Sequence, residues 1–322
     1  MSKLQSQKGY PMKRQLHGDS FASPLSPSRF QKVFRRYQEE ITGYSLLFPV
    51  LLGFGIFSIF PAFFVIYLSF TEWTGLEGLP AWVGIKNFEI FFTQGDYVAS
   101  LLRAGAFGFI CLFFSMMFGF LIALLLNQKV IGSTLIRTVW YLPVLVSFAV
   151  VSQMLVAVLN PVDGLLRHMM LQFGMEPIIF QKSALWMSFW IILVTVWKGV
   201  GGTVIIYLAG LQGIDTTLYE AARVDGANKL KMLWHVTIPS LRPITMFVII
   251  TGIIGSFQIF EPIQLISRGG PNGETTIILF RIYQDAFQSF NFGMASASSV
   301  MVLAVTFMFS ILQYRYSQRS NT

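Results

Sequence analysis

One cysteine, three histidines and no Gly-Lys dipeptide stand out as absences in a chain of 322 residues. Cys111 has no partner for a disulfide within the chain, and no Cys/His spacing suits a metal. His17, His168 and His235 are too far apart in sequence to form a local ligand or catalytic set. Without Gly-Lys there is no G-x-x-x-x-G-K-[ST] loop to cradle phosphates, so ATP-driven work would fall to another chain. G-x-S-x-G and H-E-x-x-H are also missing, and no close carboxylate pair offers acid–base chemistry. Asp215, Glu220 and Asp225 are near one another but suit a helix cap and a turn better than catalysis. Charge is scarce as well: 12% of residues are charged, against roughly 25% in soluble proteins. With 54% hydrophobic residues, the chain has more apolar surface than a soluble fold can hide, and a bilayer is its expected solvent. No cleavable signal peptide is expected, because the first apolar run begins only after residue 40 and is too long for one.

Six segments reach the length of about 20 residues that a spanning helix needs: about 44–70, 104–127, 138–160, 184–210, 243–267 and 291–314. The expected fold is an all-α polytopic membrane protein. Pro49 and Pro61 interrupt the first span, which is tolerable where neighbouring helices satisfy the freed carbonyls. Residues 1–28, rich in Ser, Pro, Gln and basic side chains, are expected to be a disordered tail. In 29–43, Phe30, Val33, Phe34 and Tyr37 recur at helical spacing opposite Lys32, Arg35 and Arg36. That pattern suits a helix lying on an anionic leaflet or one docked on a partner.

The net charge of +8 has a topological reading rather than a nucleic-acid one. Sixteen Lys and Arg fall in the N-terminal tail, the 128–137 loop, the 211–243 loop and the C-terminal tail 315–322, and five fall in the alternate loops. Basic residues favour the cytoplasmic side, so both termini and the 211–243 loop are expected there.

That loop is unusually organised for a polar connection. Thr217 and Glu220 have capping-box spacing, which predicts a helix starting near Leu218. Asp225-Gly226 is a turn signal, and a second helix is expected from about Ala227 to Val236, with Ala227, Leu230 and Trp234 on one face. Pro239 suits a chain reversal, and Pro243 the first turn of the next span. The expectation is a helix–turn–helix elbow over 215–239.

Within the spans, Thr195, Lys198 and the glycines at 199, 201 and 202 interrupt the fourth. Gly252, Ser256, Gln258 and Glu261 punctuate the fifth. A lysine at mid-membrane depth faces a cavity or a partner. For Lys198 two readings stand: a functional contact, offset by the carboxylate or phosphate of an anionic saccharide or by Glu261, or a pairing with carbonyls or the interface. Gly201 and Gly202 suit close helix packing.

The run Glu220-Ala221-Ala222, then Gly226, then Val236-x-Ile238-Pro239 resembles the coupling loop of permease subunits of bacterial ABC importers. YEAARVDGA and TIPSLRP resemble the maltose-type, sugar-importing branch in particular. LLFPVLLGFGIFSIFP in the first span and GGP at 269–271 resemble the same permeases, so the likeness covers most of the chain from residue 44. Asp215 stands where that branch usually has Pro, and Trp234 where Phe is usual. The resemblance implies that Glu220, Ala221, Ala222, Asp225, Gly226 and Pro239 couple to a separate ATPase. It also implies that Thr195, Lys198, Gly199, Gly252 and Ser256 line a sugar path that Val144 and Phe148 join by match, with a contact that would be stacking or none. Gln258, near the middle of the fifth span, and Glu261, expected about 8 Å along the helix from Ser256 towards the outer face, join the candidate path.

The expected partners are a second homologous permease, two ATPase subunits, a solute-binding protein, a sugar substrate and membrane lipid, with no nucleic acid. No cofactor is expected on this chain, ATP and Mg belonging to the ATPase. A different reading, a secondary carrier or channel using Lys198 and Glu261 without an ATPase, would favour internal repeats, and none is found.

Overall fold

The computed structural model describes residues 29–76, 78–128 and 132–320, and the chain divides into two units, 1–61 and 62–322. The expected tail 1–28 lies outside the described residues, as do the side chains of Phe30, Val33 and Phe34. Helix α1 (Arg29–Phe54) runs without a break, so 29–43 and the start of the first span form one helix. It passes into a π turn (Gly55–Ile59) in which the Phe60 N–H donates to Gly55 O, five residues back. The wider turn falls just before Pro61, which has no N–H to give and whose ring would strike the carbonyl four residues earlier in a regular helix. Helix α2 (Phe60–Leu68) follows.

The second unit contains one feature the all-helical expectation lacks: a short antiparallel pair, β1 (Thr71–Glu72) and β2 (Ala81–Trp82), with Thr71 opposite Trp82. Asn87, in α3 (Lys86–Thr93), ties it down by donating to Ser69 O at 3.0 Å and Thr71 O at 2.8 Å. Helix α4 (Gly95–Leu126) starts earlier than its apolar run suggests, because Asp96 is favourable in a first turn, where the backbone N–H groups are unpaired.

The expected third span, 138–160, is broken. Helix α5 (Ser133–Leu145) and α6 (Phe148–Val158) meet at an angle of 86°. Pro143 removes a helical donor near the end of α5, and the Ser147 hydroxyl accepts from Ala149 N–H, which starts α6 anew. After α7 (Leu165–Gln172), the long α8 (Ala184–Gln212) matches the expected fourth span. It packs along α4 and against α5. Val200, Val204, Leu208 and Leu211 of α8 are buried with Cys111, Ala123 and Leu126 of α4.

Helices α9 (Thr216–Val224), α10 (Lys229–Met232) and α11 (Ile238–Ser240) form the elbow. A π turn at 233–237 joins the last two. Residues 229–240 then bend by 60° into α12 (Arg242–Ser256). The expected fifth span, 243–267, is also broken: α12 ends at Ser256 and the chain resumes a helical course only at Glu261, through a π turn at 263–267. Helix α13 (Ile278–Tyr283) and α14 (Phe292–Ser320) complete the unit.

Among the described residues, four helices are long and apolar enough to cross a membrane, or up to six if each bent pair is one span. Lipid is as apolar as a leucine side chain, so such helices are held by close packing rather than by escape from water. Gly108 of α4 illustrates this: a Cβ there would strike both side chain and backbone of Ser256 on α12.

Candidate functional site

Two regions carry the candidate residues. In the elbow, Asp215 is the cap of α9: its Oδ1 accepts from Thr217 N–H at 2.9 Å. The expected Thr217/Glu220 capping box is not formed, and the helix begins at Thr216 rather than near Leu218. Asp215, grouped with Glu220 and Asp225 as suited to a cap and a turn, takes the capping role itself because a short carboxylate reaches the second N–H beyond it without strain. The hydrogen bond holds the Asp215 carboxyl below the usual carboxylate range. Glu220, relieved of a capping duty, is exposed, as is Ala221, while Ala222 is half-buried.

Gly226 has φ of +75°, and its N–H closes the turn on Arg223 O at 3.0 Å. Asn228 starts the second limb by accepting from Lys231 N–H at 2.9 Å. Pro239 is not at a chain reversal. It lies within the continuing helix, and the change of direction falls two residues later, at Leu241, just before Pro243 in the first turn of α12. The limbs are tied by a bond between Tyr219 Oη and Thr237 Oγ1, at 3.0 Å. Neither residue was a candidate; a tyrosine and a threonine 18 positions apart carry no periodic signal. Leu218, Val224, Leu230 and Trp234 all face outward.

The second region lies between the broken spans. A cavity of about 560 Å³ is walled by Val144, Phe148, Thr195, Lys198, Gln258 and Glu261, among others. A smaller one of about 230 Å³ adjoins it, sharing Thr195 and Gly199 and adding Gly252 and Ser256. All seven intramembrane candidates thus border these two cavities. Their spacing differs from the expected one, because Gln258 lies in the break after α12 and Glu261 beyond it, so no helical rise separates Ser256 from Glu261. A further wall, formed by Gly108, Cys111 and Ser115 of α4, was missed. Their i, i+3, i+7 recurrence as a small-residue stripe was the available signal.

The hydroxyls are committed to their own helices: Thr195 Oγ1 donates to Ile191 O at 2.7 Å and Ser256 Oγ to Gly252 O at 2.8 Å. Each retains lone pairs that a ligand hydroxyl could use. Lys198 Nζ donates to three carbonyls at the end of α5, Val146 at 2.6 Å, Val144 at 2.9 Å and Pro143 at 3.3 Å, and lies 5.3 Å from the centre of the Phe148 ring. Of the two readings left open for this lysine, pairing with carbonyls is what the geometry contains. Gly201 is a packing glycine, since a Cβ would strike the Trp140 carbonyl of α5. Gly202 faces open space, so the packing expectation does not extend to it.

The family described as binding-protein-dependent transport system inner membrane component matches residues 115–322. The multiple sugar-binding transport system permease protein MsmF of Streptococcus mutans is 30% identical, over 88% of this chain and 98% of its own length. The sn-glycerol-3-phosphate transport system permease protein UgpA of Salmonella choleraesuis is 27% identical, over 90% of this chain and 97% of its own. In fold, a chain from the crystal structure of a bacterial ABC transporter involved in import of the acidic polysaccharide alginate superposes with a TM-score of 0.77 at 23% identity. The match covers 89% of this chain and 99% of that one.

Proposed function

This chain belongs to the family of binding-protein-dependent transport system inner membrane components, and from that premise we propose that it is a permease subunit of an ATP-driven importer for a sugar or oligosaccharide. It contributes half of the translocation path and pairs with a second homologous permease. A solute-binding protein delivers the substrate, and two copies of a cytoplasmic ATPase supply the work. ATP and Mg are held on that ATPase, and no cofactor belongs to this chain. Both termini and the elbow lie on the cytoplasmic side, in keeping with the sixteen-to-five distribution of basic residues. The sugar assignment is supported by the name of the MsmF relative.

The observation that carries the coupling is the elbow's outer surface. A short pair of helices, capped by its own Asp215 and Asn228, turns Glu220, Ala221 and four large apolar side chains outward. Glu220 anchors the elbow to a basic group or backbone amides of the ATPase, Ala221 and Ala222 allow close approach, and Asp225-Gly226 makes the bend. When ATP closes the ATPase pair, the elbow moves as one body, and the bend at Leu241 passes the movement to α12 and the cavity behind it. A differential contact energy of a few kcal/mol between the two states is enough to exchange their populations.

The test is Glu220→Ala in the complete importer. Capture of the ATPase should fall and uptake into vesicles should fall with it, while the subunit still inserts in the membrane. Wild-type capture and uptake would refute the coupling role.

A further inference from the structure

We propose that Lys198 is a positioning residue that pins the break in the third span, and not the countercharge for the transported substrate. The inference deepens the reading of the cavity as a substrate path and rests on that reading for its functional arm only.

The last carbonyls of a helix have no partner within it, and their dipoles leave partial negative charge there. Helix α5 ends inside the spanning region, at Leu145, and its end therefore needs donors that water would supply at a surface. Lys198 provides them from the middle of α8. An ammonium has three N–H donors, and three carbonyls, of Pro143, Val144 and Val146, stand within 2.6–3.3 Å of Nζ. The donors are filled by backbone 52 to 55 residues away in sequence. None is left for a carboxylate or phosphate on a ligand.

The same group lies 5.3 Å from the centre of the Phe148 ring, the first residue of α6. One side chain thus touches both sides of the break. Val144 and Phe148 both wall the larger cavity, so fixing the break fixes that wall. The close approach of Gly201 to the Trp140 carbonyl brings α8 against α5, so that the lysine reaches the end of α5. A charged substrate would have to find its countercharge elsewhere.

The experiment measures the break directly. Spin labels at Val139→Cys on α5 and Met154→Cys on α6, both exposed positions, are placed in the full chain, in a Cys111→Ala background, within its complex. Lys198→Met should broaden the label distance and shift it away from the wild-type value. Lys198→Gln, which keeps two donors without charge, should give a smaller shift, and it remains measurable if the methionine variant fails to assemble. Unchanged distances in Lys198→Gln, or in Lys198→Met where it assembles, would overturn the proposal.

A second arm compares uptake of a neutral glucose oligosaccharide with that of a uronate oligosaccharide. Both variants should lower the maximal rate of whichever probe is carried without altering the preference between them. Loss confined to the uronate probe would make Lys198 a countercharge and overturn the proposal. If wild type carries neither probe, the distance measurement alone decides the role of Lys198.

Discussion

The elbow and the intramembrane cavity are held together by opposite means. Side-chain bonds at the elbow's caps span two or three residues, Asp215 to Thr217 and Asn228 to Lys231, and one bond, Tyr219 to Thr237, joins its limbs. Four of its large apolar side chains, Leu218, Val224, Leu230 and Trp234, point away from the chain. The cavity depends on bonds across more than fifty residues, from Lys198 to the end of α5, and on glycines that let neighbouring helices touch. A unit closed on itself can move as a body and keep its shape. A wall assembled from several helices changes shape when any of them moves. The contrast suits a device in which one part receives force and the other converts it into a change of access.

The sharpest way to break the comparison is to spoil the elbow's self-sufficiency. Gly226→Pro replaces a residue at φ +75° with one confined near −65° and deletes the N–H that closes the turn on Arg223 O. At a position with this φ and a bonded N–H, the substitution costs more than about 1 kcal/mol at the turn alone. Because the elbow draws on little else, uptake and capture of the ATPase should both be abolished while the spans still insert. Retained uptake would show that the turn geometry is not needed and that the elbow does not act as one body.

The cavity should respond differently, in graded fashion. Gly201→Val places a side chain against the Trp140 carbonyl and forces α8 from α5, with an overpacking cost of roughly 1–3 kcal/mol. The expected outcome is a lowered thermal midpoint together with reduced uptake and normal ATPase capture. Gly202→Ala is the control, since nothing lies within 4 Å of a Cβ there, and it should leave both unchanged. Equal effects of the two substitutions would mean that the α5–α8 contact does not control the cavity.

What the sequence revealed follows the same division. The elbow was legible because its signals are local: Asp225-Gly226 marked the positive φ, and Pro243 marked a first turn. Even there the cap was misplaced, since T-x-x-E and Asp215 compete for the same N–H groups and spacing alone does not rank them. Four spans were legible from apolar length, and up to six if each bent pair crosses as one. The breaks at Val146–Ser147 and Phe257–Phe260 were not read, although Pro143 and Pro262 lie beside them, because each run taken whole has the apolar length of one span. Lys198 announced itself by its depth, but its partners are backbone carbonyls, which every residue has and no sequence distinguishes.

The smallest expected effect tests whether the elbow's cap is an ordinary carboxylate device. The N–H of Thr217 lowers the Asp215 pKa in the folded elbow. A depressed carboxylate contributes stability that is complete above its unfolded value and is lost as pH falls through its folded value. Below the ordinary carboxylate range, therefore, α9 should fray at its first turn while the cavity, whose Lys198 contact has no carboxylate, keeps its geometry. Hydrogen exchange read at Thr217 and Leu218 over a pH series, corrected for intrinsic rates, should show protection falling on acidification in wild type. In Asp215→Asn, which retains a good cap without an ionisable group, that fall should disappear. If wild type and Asp215→Asn lose protection in parallel, the ionised carboxylate is not what fixes the start of α9, and the elbow's independence from the rest of the chain must come from the Tyr219–Thr237 bond instead.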